Sequence, residues 1–171
     1  IFGAESALMY AVKVGEFGIV EFLIRLGAEV KLANSQGDSA LTIAIKSGRD
    51  DIVKYLIEHG ADATTVNKNG FTSIMLAAES GNIVTIKYLL SQIEPAYHYA
   101  QLNNKNSSSG STPLMFAAKA GKLDMVKYLI ENGCEIHFDT EIKKFIYGNN
   151  CITGIQTERN EIFQGNHPHL L

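Results

Sequence analysis

The chain has 171 residues, 46% of them hydrophobic and 19% charged, and a formal net charge of −3. That is enough polypeptide for one domain with a sizeable core. It contains no basic run that could track nucleic-acid phosphates and no apolar run near the ~20 residues of a membrane span.

Two cysteines, Cys134 and Cys151, make no disulfide framework and point to a reduced, cytoplasmic setting. The opening "IFGAESALMY" has neither initiator Met nor leader pattern, and it reads as the start of a fragment.

Ser6 begins the first predicted element, in "ESALMYAVKVGEFGIVEFLIRLG". The same pattern returns in "DSALTIAIKSGRDDIVKYLIEHG" from residue 38, in "FTSIMLAAESGNIVTIKYLL" from residue 71 and in "STPLMFAAKAGKLDMVKYLIENG" from residue 111. The anchors Leu8, Leu41, Ile74 and Leu114 are spaced 33, 33 and 40, as are Gly15, Gly48, Gly81 and Gly121. A fixed period of this length signals stacked repeats, each too small to bury its own apolar face.

Within each copy, Ser6, Ser39, Thr72 and Thr112 are placed to accept a hydrogen bond from an orphan N–H of the first helical turn. Pro113 follows the last of these at a position where its missing N–H is harmless. The small pairs Ala11-Val12, Ala44-Ile45, Ala77-Ala78 and Ala117-Ala118 allow close helix approach. The four glycines then end the first helix in a left-handed conformation. Apolar residues at helical spacing form a second helix, ended by Gly27, Gly60 and Gly133.

Gly110-Ser111-Thr112-Pro113-Leu114, Ala117-Ala118, Gly121 and the closing Gly60-Ala61-Asp62 resemble the ankyrin repeat. The resemblance covers residues ~4–136 in four copies, about 4–36, 37–69, 70–109 and 110–136. It implies an all-α solenoid of stacked helix-turn-helix pairs with β-turn hairpin loops, the first helices lining a concave side. The family often has His after the Leu, where this chain has Met9, Thr42, Met75 and Met115, and the loss of that turn-stabilising residue is expected to lower stability.

Repeat three carries an insertion, "EPAYHYAQLNNKNSSSG". Pro95 stops the helix, 103–109 reads as a mobile Asn/Ser loop, and an extended segment would point Tyr97 and Tyr99 to one side. Asp50, flanked by Arg49 and Asp51, reads as a solvated edge. Residues 137–171 lose the pattern and are expected to form an irregular tail or capping segment, with a hairpin around Gly148-Asn149-Asn150 or a degenerate repeat as the alternatives.

No sequence motif for catalysis occurs. A zinc set of Cys134, His137, Cys151 and His167 fits no compact ligand spacing. His59 suits a helix C-terminus, His98 and His137 fall in loops, and the Tyr55, Tyr88, Tyr128 column with Phe22 reads as packing between repeats. No cofactor or metal is expected.

The resemblance implies partner contacts on loop tips and first-helix faces. Carried over residue by residue, it offers Gln36, Asp38, Lys46, Lys68, Phe71, Glu79 and Lys119, to which the insertion adds Tyr97 and Tyr99. Phe71, an aromatic at a position expected to face water, is the strongest of these. The function expected is a monomeric, non-catalytic scaffold for a protein partner. The alternative is a regulatory or targeting segment of a larger protein, a kinase or a secreted bacterial effector acting in the host cytosol, with its catalytic domain elsewhere.

Overall fold

A computed structural model describes residues 6–136 with their side chains and, beyond them, the backbone of 142–148, 151–157 and 162–164. The chain divides into two units, Ile1–Glu135 and Ile136–Leu171. The first is all-α and built from helix pairs. These are α1 (Ala7–Val14) with α2 (Phe17–Arg25), α3 (Ala40–Lys46) with α4 (Asp50–Glu58), and α5 (Ser73–Ser80) with α6 (Ile83–Ser91). A short α7 (His98–Leu102) precedes the last pair, α8 (Pro113–Lys119) and α9 (Leu123–Glu131).

Every first helix starts as its cap residue dictates. Ser6, Ser39, Thr72 and Thr112 accept hydrogen bonds from the N–H groups of Met9, Thr42, Met75 and Met115 at 3.2, 3.3, 3.2 and 3.4 Å. Gly15 and Gly81 close α1 and α5 at φ +83° and +79°, where a side chain would be strained. Successive first helices pack on one another, and Ala44, Ala77 and Ala117 are fully buried between them.

In place of the family's histidine, Met9, Thr42 and Met75 fill the seam between repeats, fully buried or nearly so. The Thr42 hydroxyl donates to the Ser39 carbonyl at 2.9 Å, which satisfies a polar group that burial would otherwise leave orphaned.

Three expectations are corrected. Asp50 is not a solvated edge: its Oδ1 accepts from Asn82 Nδ2 and from the buried Thr85 hydroxyl, each at 2.6 Å, and so ties the starts of α4 and α6 together. The residues around Tyr97 and Tyr99 are helical, a 3-10 turn at Pro95–Tyr97 followed by α7, and not extended. Residues two apart on a helix do not share a face, so the two rings do not form one surface.

The run 103–109 folds as an ordered turn about the buried Asn106. Its Oδ1 accepts from Ser108 N and Ser109 N at 3.0 and 2.9 Å, and its Nδ2 donates to Asn69 O at 2.9 Å. That burial also withdraws the Asn106 side-chain amide from solvent.

Repeat three has Ile93 where the other second helices end in glycine. There His98 closes the helix, with its Nε2–H pointing at the Leu90 and Ile93 carbonyls, 2.8 and 2.9 Å away. It supplies a donor to Ile93 O and a further one to Leu90 O, which also accepts from Ile93 N at 3.0 Å.

In the second unit, β1 (Ile142–Gly148), β2 (Cys151–Thr157) and β3 (Ile162–Gln164) form an antiparallel meander in that order. Gly148 pairs with Cys151, so a two-residue connection joins β1 to β2. Of the alternatives open in the sequence, the hairpin is the one this backbone takes.

Candidate functional site

The hairpin tips between repeats are built on one residue type. Asn34, Asn67 and Asn106 each fold their side-chain oxygen back onto two backbone N–H groups of the following turn. The amide nitrogens then link the tips: Asn67 Nδ2 donates to Asp38 Oδ1 at 2.9 Å, and Asn106 Nδ2 to Asn69 O. Lys68 Nζ adds a bond to Ser35 O at 3.1 Å. The asparagine period of 33 and then 39 is visible in the sequence, a signal that the motif reading passes over. It also divides the insertion, with six residues before Asn106 and one inside the turn.

Between the tips of repeats three and four and the start of α8 lies a groove of about 400 Å³. Phe71, Met115 and Phe116 supply apolar surface, Ser108 and Ser109 a hydroxyl rim, and Lys119 a cation. Phe71 is half-buried, not the fully exposed aromatic expected. Its ring packs on Phe116 at a centroid distance of 4.9 Å and an interplanar angle of 41°. Met115, 43% exposed, stands in this groove although its counterparts Met9 and Met75 are buried.

The other expected contact residues divide by what they already hold. Asp38 forms an ion pair with Lys46 at 2.7 Å while also receiving Asn67, so both belong to the framework of the array. Gln36 and Glu79 are exposed and lie outside the groove. Tyr97 is exposed, and the Tyr99 hydroxyl donates to Glu135, which holds the phenol above its ordinary range. Of the residues expected to bind a partner, the groove brings together Phe71 and Lys119.

The tyrosine column divides too. Lys54 Nζ sits 5.7 Å from the Tyr88 ring and Lys87 Nζ 5.5 Å from the Tyr128 ring, each cation coming from the preceding repeat. Tyr55 packs on Phe17 in an edge-to-face arrangement, with ring centroids 5.2 Å apart. Phe22, at the head of the column, is 61% exposed and does not share this packing.

Cys134 is buried, its thiol donates to Leu102 O at 3.3 Å, and burial pushes its pKa up to about 11. His137, His167, His169 and the Cys151 side chain lie outside the described residues. Among the described residues no three His, Cys, Asp or Glu side chains gather in a way that could hold a metal ion, and no helix is long and apolar enough to cross a membrane.

No curated protein matches this chain. A family model described as ankyrin repeats (3 copies) matches it twice, over residues 3–67 and 62–140. With capped helix pairs, hairpin tips and a 33-residue period all in register with that match, the chain belongs to the ankyrin-repeat family.

Proposed function

We propose that this array, like ankyrin repeats generally a protein–protein interaction module and typically non-catalytic, is a non-catalytic cytoplasmic scaffold that takes an extended segment of a protein partner across the tips and first helices of repeats three and four. The observation that carries the reading is the groove at Phe71, Met115 and Phe116, an apolar floor beside a single cation at Lys119. Such a surface suits an apolar anchor side chain followed by a carboxylate, because a desolvated anchor supplies affinity and a rim charge supplies orientation. The free, buried Cys134 thiol suits a reducing compartment.

Peptides selected from a random display library against the 171-residue chain test the reading. They are expected to carry an apolar–acidic pair and to lose about tenfold in affinity on Met115→Glu, with Lys119→Glu reversing the charge preference. Both positions are exposed, so melting should stay close to wild type. Selected peptides that are indifferent to both substitutions would place recognition on another face.

A further inference from the structure

The repeat period allows the same position to be compared in four neighbourhoods. Ile19 corresponds to Ile52, Thr85 and Met125, which are exposed by 0%, 1% and 1%, whereas Ile19 is 52% exposed. Tyr10 corresponds to Ile43, Leu76 and Phe116, all buried, yet it is 56% exposed. Ala7 is exposed where Ala40, Ser73 and Pro113 are buried, and Phe22 is exposed where Tyr55, Tyr88 and Tyr128 are half-buried.

These are not positions that tolerate water throughout the array. By contrast, Val14 and Leu26 are exposed, and so are their counterparts Ser47 and His59. The set Ala7, Tyr10, Ile19 and Phe22 is the face that every later repeat presents to its predecessor. Its side chains are those of an interior interface. A terminal repeat that caps a solenoid needs a polar outer face.

We propose that the outer face of α1 and α2 is an unfinished repeat interface, whose occupant is a further helix pair of the same class, supplied in cis and stacked in register. Continuity with the three established interfaces specifies its chemistry. The predecessor's first helix lies along the successor's first helix, and its second helix places an aromatic ring or an ammonium on the column aromatic, as Phe17 does on Tyr55 and Lys54 on Tyr88. The occupant therefore brings an apolar, small-residue first helix over Tyr10 and a cation or ring over Phe22. This surface is distinct from the groove of repeats three and four, and the inference stands apart from the proposed function.

The test uses the 171-residue chain and a longer version in which a second copy of residues 38–70 replaces residues 1–4. The 33-residue register is thereby preserved, and the copied repeat is one whose outgoing face already covers an interface of this kind. The longer protein is expected to melt in a single transition at least about 5 °C higher and to bind less of a hydrophobic dye. Ile19→Asp should leave the melting of the 171-residue chain nearly unchanged but abolish the gain in the longer one. A copied repeat that melts in its own transition, or a gain that survives Ile19→Asp, overturns the proposal. Sedimentation equilibrium separates the other occupant: a dimer of the 171-residue chain that Ile19→Asp dissolves would assign the face to a second copy and refute the assignment in cis.

Discussion

Repeats one and two carry nearly the same pattern, yet α2 buries only Val20 while α4 buries Ile52, Val53 and Leu56. Hydrophobicity does not explain the difference, since α2 is the more apolar helix. What differs is the neighbour: α4 has helix pairs on both sides, and repeat one has a described partner on one side only. In a solenoid, burial belongs to the interface between units, and a residue's contribution follows its place in the stack.

The largest test of this contrast is a buried charge. Ile52→Asp should cost about 4 kcal/mol or more in urea unfolding, because an unpaired carboxylate enters a dry interface, while Ile19→Asp should change stability by under ~1 kcal/mol. Comparable losses at both sites would mean that exposure at Ile19 does not reflect a missing neighbour.

The tip glycines repeat the contrast at smaller scale. Gly37, Gly70 and Gly110 share a positive φ of +78°, +75° and +69°. A Cβ at Gly37 would lie 2.5 Å from Lys68 N, and one at Gly70 2.9 Å from Ser107 N, both at the following hairpin tip, whereas one at Gly110 meets nothing within 4 Å. Gly37→Ala and Gly70→Ala should therefore cost about 2–3 kcal/mol by thermal or urea unfolding, and Gly110→Ala about 1, the conformational strain alone. Equal costs would remove the neighbour's share.

Two changes of about 1 kcal/mol come next, in opposite directions. His98→Ala should destabilise and speed amide exchange at the end of α6, because the Ile93 carbonyl loses its imidazole donor and Leu90 O is left with its backbone bonds alone. Ser73→Ala should stabilise, since Ser73 Oγ is fully buried without a hydrogen-bond partner and its counterpart Ala40 shows that a methyl fits.

The smallest effect is electrostatic. Tyr99 donates to Glu135 only while protonated, and that bond raises its pKa from 10.0. Its contribution is complete below 10.0 and is lost as pH rises through the raised folded value. Spectroscopic titration should find Tyr99 titrating late along with Tyr88 and Tyr128, which burial also raises, and Glu135→Gln should move Tyr99 alone towards its ordinary value.

Reading from residues extends furthest where a local rule acts alone. Ser6, Ser39, Thr72 and Thr112 cap helices because an oxygen one bond from Cβ reaches the N–H three residues on, and Gly15 and Gly81 end helices because only glycine adopts positive φ without strain. Asp50 escapes such a rule because its partners, Asn82 and Thr85, lie one repeat away, and nothing in Arg49-Asp50-Asp51 names them. The extended reading of Tyr97 and Tyr99 fails for a related reason. The alternation Tyr-His-Tyr suits a strand, but His98 is held against the end of α6, and that contact goes with a helical turn.

The sequence by itself determined the period, the caps, the turns and therefore the family, since each follows from forces acting within a few residues or from a pattern repeated often enough to be read as one. Only the tertiary structure decided which apolar residues are core and which are surface. Tyr10 and Ile43, Ile19 and Ile52, and Met115 and Met75 are matched positions in the pattern and differ in what lies against them. It also brought Phe71 onto Phe116 across 45 residues to shape the groove, because van der Waals contact and desolvation depend on atoms that are near in space, and the chain records only those that are near in sequence.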